Sequence, residues 1–263
     1  MGTFFKKVWE TGGHAVQVSG RKTSCRPQDL ARNSDVVMIS VPIRDTKRVI
    51  EETAPYLTER QVLCDLTSLK MEPVQAMLQS HAEVIGLHPM FGPNIPSLKG
   101  QTIIACPARC SRETGDTILG MLERQGAHIT ITTPEEHDRM MAIIQGLTHF
   151  STLCLAETMR RMGTDIDHAL KCTSPVYRIE MGLIGRLLGQ DPDLYGDLLT
   201  MNPFIPPMLA EFKQATLLLD EIIRKGDKKA FRAFFSENSS KFAPYSARAT
   251  METDAIIEFL VNS

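Results

Sequence analysis

An apolar run, Val84 and Ile85, leads into Gly86-Leu-His-Pro-Met-Phe-Gly-Pro93. This pattern predicts a buried strand that ends in an imidazole, His88, at the rim of a sheet. Open α/β sheets bind ligands beyond the carboxyl ends of their strands, so a group with an ordinary pKa of about 6.5 is well placed there for proton transfer. Two more polar islands interrupt apolar sequence: Asp65-Leu-Thr-Ser-Leu-Lys70 and Ser174-Pro-Val-Tyr-Arg-Ile-Glu-Met-Gly-Leu-Ile-Gly-Arg186. Alone, His88 reads equally well as a capped loop histidine. Beside the other two islands it points to a site.

The elements that must carry these groups divide into two kinds. Short β-branched or apolar runs at 15–18, 36–41, 62–66, 84–87, 102–105 and 128–131 alternate at first with amphipathic, helix-like segments. That alternation predicts a parallel, doubly wound sheet. Strand signals then stop. Thr133-Pro-Glu-Glu136 is a capping box with proline at the first helical position. The helix it opens should run to Gly163, with Met141, Ile144, Leu147 and Phe150 on one stripe. Ser174 and Pro175 open another, with Val176, Ile179, Leu183 and Leu187 as its apolar face. Further helices are expected at 205–225, 228–242 and 246–261, split by Gly226 and Pro244. The domain boundary is placed near Thr133, giving domains 1–133 and 134–263.

The bulk numbers exclude several classes. With 43% hydrophobic residues, 263 residues can form one large core or two modest ones. A net charge of −2 provides no general field for nucleic acid or an acidic membrane. No stretch approaches the ~20 apolar residues of a membrane span, and no apolar segment of a leader follows Lys6 and Lys7. The six cysteines (25, 64, 106, 110, 154, 172) are scattered, and seven histidines show no metal-ligand spacing. Reduced thiols in a cytoplasmic protein, with no metal site, are expected.

Several spaced motifs together resemble the prephenate dehydrogenases of tyrosine biosynthesis, and most closely the dehydrogenase part of the bifunctional enterobacterial enzymes. They are Ser40-Val-Pro-Ile43, the three islands, Glu136-His-Asp138, Gln145-Gly-Leu-Thr-His-Phe150 and Gly189-Gln-Asp-Pro192, spread nearly end to end. The resemblance implies a Rossmann-like N-terminal domain, an all-α domain that forms a homodimer, and prephenate or arogenate as substrate. The ring carbon bearing the 4-hydroxyl gives hydride to a nicotinamide while the ring loses CO2 and aromatises, so no metal is needed. By resemblance His88 is the catalytic histidine, Ser68 bonds the same hydroxyl, and Lys70 lies nearby. Arg186 pairs with a substrate carboxylate, for which a planar fork is suited, and His149 lies near the substrate side chain. Arg178 is about 80° from Arg186 around one helix and reads either as a site residue or as an interhelical salt bridge. His137 and Asp138 either orient the domain junction or favour the helix N-terminus. Gly182 and Gly185 suggest close backbone approach, to a helix or to a ligand.

Cofactor residues are expected at Gly2, Ser19, Gly20, Arg21, Lys22, Val41 and Pro42. Met1-Gly2 matches only the last two positions of the family's G-x-G-x-M-G turn, so the first strand of the fold is expected to be missing. Gly20 stands where the enterobacterial enzymes carry Glu. A small residue followed by Arg21 and Lys22 suits a 2′-phosphate, favouring NADP over NAD; a solvated basic loop is the plainer reading. Two alternatives remain: an arogenate dehydrogenase, and a non-catalytic dimeric relic without cofactor binding.

Overall fold

In the computed structural model of the chain, residues 1–20 and 23–262 are described; Arg21, Lys22 and Ser263 lie outside them. The chain forms two compact units, Met1–Gly146 with Asp193–Phe204, and Leu147–Pro192 with Ile205–Ser263.

The first unit contains α1 (Gly2–Thr11), α2 (Pro27–Arg32), β1 (Val36–Ile39), α3 (Ile43–Thr53), β2 (Val62–Asp65), α4 (Met71–Met77), β3 (Glu83–Pro89), β4 (Thr102–Arg109), α5 (Arg112–Arg124), β5 (His128–Ile131) and α6 (Pro134–Met141). The strands lie in the order β1-β2-β3-β4-β5. Neighbouring side chains on a strand go to opposite faces, so Leu63 and Val84 join Ala31, Ile50, Val74 and Met77 in one core. Cys64 and Ile85 join Phe5, Val8, Leu119 and Leu122 in the other. Helices thus cover both faces, as strands apolar on both sides require.

Two expectations need correction here. The run 15–18 forms no strand. A strand exists only with a ladder partner, and β1 is an edge strand whose described pairing is to β2 alone. The sheet is also not wholly parallel: β1, β2 and β3 are parallel to one another and β4 to β5, but β3 and β4 are antiparallel. A parallel return needs a crossover, usually a helix. The 90–101 connection, broken by Gly92, Pro93, Pro96 and Gly100, contains none, so the chain doubles back. At the far end of β4, Arg109 donates to the carbonyls of Leu78, Ser80 and Ala82, pinning the turn before β3.

Thr133 caps α6 as the sequence predicts, its hydroxyl accepting from the Glu136 amide at 3.2 Å. The helix does not continue regularly. A π-helical stretch, Ala142–Leu147, follows α6 and precedes α7 (Thr148–Arg161). Its wider turn resets the helical phase, so the expected stripe breaks: Met141 is buried whereas Ile144 is exposed.

The second unit is helical throughout its ordered elements: α7, α8 (Ile166–Lys171), α9 (Pro175–Leu188), α11 (Ile205–Lys225) and α12 (Lys228–Asn262), with α10 (Pro192–Met201) falling mainly in the first unit. The bounds of α11 are those predicted. Ser174 is the N-cap of α9 but makes no side-chain cap bond. Helix α12 runs through Pro244 instead of breaking there. A proline costs one helical hydrogen bond, about 3 kcal/mol in a helix interior, but on this exposed helix the freed carbonyl reaches water. Of the predicted apolar face of α9 only Leu187 is buried; Val176 and Leu183 are 48% and 55% exposed. No helix among the described residues is long and apolar enough to cross a membrane.

Candidate active site

Three elements of the first unit converge on His88. Strand β3 carries it to the carboxyl edge of the sheet, where it is 2% exposed. The end of β2 brings Asp65, and the segment after it Thr67, Ser68 and Lys70. Helix α6 brings His137 and Asp138, and the π-helical stretch brings Gln145.

The side chains form a continuous chain of contacts. His88 Nδ1 lies 2.8 Å from His137 Nε2, and His137 Nδ1 lies 2.7 Å from Asp138 Oδ1. On the other side of the ring, His88 Nε2 is 3.3 Å from Gln145 Nε2. Asp138 Oδ1 accepts the Lys70 amide at 2.8 Å and its Oδ2 the Met71 amide at 2.9 Å. Helix α4 has no side-chain cap of its own. A carboxylate from α6 therefore supplies the missing N-cap, satisfying two first-turn amides.

Lys70 turns inward. Its ammonium, like the Asp65 carboxylate, is 0% exposed, and the two form an ion pair. Asp65 Oδ2 also accepts the Thr67 amide at 2.9 Å and the Thr67 hydroxyl. The lysine stem passes Gly86: a Cβ there would stand 3.0 Å from Lys70 Cδ and 2.7 Å from Val74 Cγ2. Glycine two residues before His88 is thus what gives this ion pair room. Ser68 is half-buried on the same segment.

Burial pushes the His88 pKa well below its usual value, and nearby His137 and Lys70 push it the same way. His137 is also lowered, by burial first, against the opposing pull of Asp138. Both rings are accordingly neutral near pH 7, and a neutral imidazole can accept a proton. Two buried atoms have no hydrogen-bond partner among the described residues, Asp65 Oδ1 and Gln145 Oε1. Among those residues no group of three or more His, Cys, Asp or Glu is arranged to hold a metal ion.

Of the residues expected from sequence, His88, Ser68 and Lys70 lie in this unit, Lys70 as a buried ion-pair partner. Gly2 is the first residue of α1, which has neither a side-chain cap nor an acidic residue in its first turn. A Cβ on Gly2 would lie 3.5 Å from Ser40 Oγ, so α1 opens against the residue following β1, next to Val41 and Pro42. Ser19 Oγ donates to the Cys25 carbonyl at 2.7 Å, and the Gly20 amide donates to Thr23 Oγ1 at 2.8 Å. Among the described residues other than its chain neighbours, no atom lies within 4 Å of a Cβ placed on Gly20. Arg21 and Lys22 lie outside the described residues. His149, Arg178 and Arg186 belong to the second unit: His149 half-buried on α7, its pKa lowered by burial, and both arginines exposed on α9. Among the described residues, no other element comes within 4 Å of a Cβ on Gly182 or Gly185, so no described helix makes the close approach.

Sequence reasoning did not give Asp65, His137, Asp138 and Gln145 their places. The available signal was their membership of two quoted motifs and, for Asp65, of the Asp65–Lys70 island.

Comparison with known proteins places these features in a family. The model of the prephenate dehydrogenase nucleotide-binding domain matches residues 12–131, and that of the prephenate dehydrogenase dimerization domain matches residues 133–237. The T-protein of Enterobacter agglomerans is 33% identical over 258 residues, covering 98% of this chain and 69% of its own length. A probable arogenate/prephenate dehydrogenase of Methanocaldococcus jannaschii is 36% identical over 234 residues. That match covers 87% of this chain but 52% of the relative, so the chain spans about half the archaeal protein's length. Among solved structures, Synechocystis arogenate dehydrogenase superposes with a TM-score of 0.65 at 19% identity, over 84% of this chain and 82% of that one. Prephenate dehydrogenase from Aquifex aeolicus, in complex with hydroxyphenyl propionate and NAD+, gives 0.66 at 18% identity, over 84% and 80%. At such identities these two likenesses show the fold alone.

Proposed function

Because the chain belongs to the prephenate dehydrogenase family, we propose that it oxidatively decarboxylates prephenate to 4-hydroxyphenylpyruvate, with NADP preferred and NAD as second choice. The observation that carries the reading is His88: an imidazole buried at the carboxyl edge of the sheet and held neutral by its surroundings. A neutral imidazole accepts the proton of the substrate's 4-hydroxyl, and Ser68 hydrogen-bonds the same oxygen. Lys70, buried against Asp65, acts through its charge and through the shape of the segment bearing Ser68. On the helical unit, Arg186 takes a substrate carboxylate, His149 the side-chain end, and Arg178 a supporting place.

The residues present fit a dinucleotide. The first turn of α1 offers amides that no side chain caps, and Gly2 stands against Ser40. Such a helix start holds pyrophosphate. Val41 and Pro42 lie beside it, and we assign the 2′-phosphate to Arg21 and Lys22, which follow Ser19 and Gly20 in the sequence. The bound nicotinamide supplies the hydride acceptor. The chain's own residues bind, orient, and receive the hydroxyl proton at His88.

We assign the second unit to homodimer formation. Its exposed Val176, Leu183, Phe235 and Phe259 supply apolar surface for a second copy.

Steady-state assays with prephenate and arogenate, each with NADP and NAD, test the reading. Turnover of prephenate with the higher kcat/KM for NADP is expected. A higher kcat/KM for arogenate would move the assignment to arogenate dehydrogenase, and turnover of neither substrate would identify a non-catalytic relic.

A further inference from the structure

The contacts around His88 determine where its protons sit. The Asp138 carboxylate accepts two backbone N–H groups and can only accept from a ring. His137 must therefore carry its proton on Nδ1, the atom 2.7 Å from Asp138 Oδ1. In the neutral ring Nε2 is then a bare acceptor, facing His88 Nδ1 at 2.8 Å. That contact requires a proton on His88 Nδ1, which leaves the lone pair on His88 Nε2. The opposite assignment would turn a His137 lone pair toward a carboxylate, or place a cationic ring in a buried site beside Lys70.

We propose that Asp138 and His137 form a positioning dyad that fixes His88 as its Nδ1–H tautomer and thereby presents Nε2 as the proton-accepting atom. This rests on the functional reading given above. Gln145 completes the arrangement. Its amide N–H donates to His88 Nε2 over 3.3 Å, long for a hydrogen bond. A substrate hydroxyl displaces this contact readily. When His88 Nε2 takes the hydroxyl proton, the ring becomes cationic with both nitrogens protonated. Its Nδ1–H then points at His137 Nε2, and the positive charge lies one imidazole away from the Asp138 carboxylate. Such an orienting third group is what a general base needs, because a free imidazole divides its proton between two nitrogens.

Asp138 has a second task, capping α4 through the Lys70 and Met71 amides. The same carboxylate thus ties the base to the segment that carries Ser68.

The test is nitrogen-15 NMR of the histidine rings in the 263-residue protein, together with kinetics of His137→Phe and His137→Gln. In the unsubstituted protein both His88 and His137 should be protonated at Nδ1. A resting His88 protonated at Nε2 would overturn the dyad. His137→Phe keeps ring volume but removes the acceptor, so His88 should move to its Nε2–H form, with kcat falling by about 10²-fold and KM unchanged. In His137→Gln the amide oxygen stands in for the ring Nε2, and should keep the Nδ1–H tautomer and most of the rate. A His137→Phe protein with unaltered tautomer and kcat would refute the proposal. If the unsubstituted protein turned over neither substrate, the functional reading would fall, while the ring tautomers would still decide the dyad.

Discussion

Replacing Asp65 by Asn removes one charge from the most buried ion pair in the first unit. The substitution is nearly isosteric, and the new amide oxygen still accepts from the Thr67 amide, 2.9 Å away in the parent. What is lost is the counter-charge to an ammonium that is 0% exposed and whose other described partner is the Thr67 hydroxyl at 3.3 Å. Breaking a buried pair by removing one partner costs about 3–5 kcal/mol, because the remaining charge stays out of water uncompensated. A domain has about 5–15 kcal/mol in all, so Asp65→Asn, at about 3–5 kcal/mol, should lose roughly a fifth of the stability or more. Lys70→Met should lose less, since Asp65 keeps both Thr67 donors. The double variant should recover most of the loss, as apolar replacement of a buried pair is often neutral. Trp9 is the chain's single tryptophan and packs against the first unit's core, so its fluorescence reports unfolding of that unit. In urea, Asp65→Asn should shift the midpoint by roughly 2 M at a slope of about 2 kcal/mol per molar. A loss below about 1 kcal/mol, or a double variant no more stable than Asp65→Asn, would refute the account of a desolvated pair.

Four further outcomes are expected. His88→Asn should lower kcat by about 10²–10⁴-fold with cofactor affinity unchanged, and a variant retaining half its turnover would remove His88 from the chemistry. Arg186→Ala should raise KM roughly tenfold by removing a charge-assisted partner of a carboxylate; an unchanged KM would return Arg186 to a structural role. Gly86→Ala should destabilise by about 1–3 kcal/mol through overpacking, because its methyl would meet Val74 and the Lys70 stem at 2.7 and 3.0 Å; circular dichroism melts measure this. His88, His137 and His149 all have lowered pKa values when folded, so below about pH 6.5 the unfolded chain binds more protons than the folded one. Stability should therefore be full above that pH and fall as the solution is acidified, and urea titrations showing equal stability at pH 7.5 and 5.5 would contradict this.

Local pattern carried the reading where local physics decides. The Thr133 cap, the bounds of α11 and the strand that delivers His88 follow from spacing and turn residues within a few positions. Errors arose where distant partners decide. The apolar character of 15–18 could not reveal that no neighbouring strand would pair with it. Nor could the 90–101 loop declare a direction before the absence of a crossover helix was known. The π-helical turn and the uninterrupted α12 both depend on tolerances that propensity does not measure. For the site, His88 stood out because a strand ends there. His137 and Asp138 looked like residues of a helix start, and their contacts with His88, Lys70 and Met71 span 49 to 68 positions of chain. No local spacing encodes such a meeting.

The double engagement of Asp138 has a consequence for how such chains diverge. A descendant that lost its chemistry would be released from keeping His137, but α4 would still require its cap. Drift should therefore erase the imidazole first and the carboxylate last. Within a set of related chains, an aspartate at this place without its preceding histidine would mark a fold that has outlived its reaction, whereas loss of both would mark one whose α4 has found another cap.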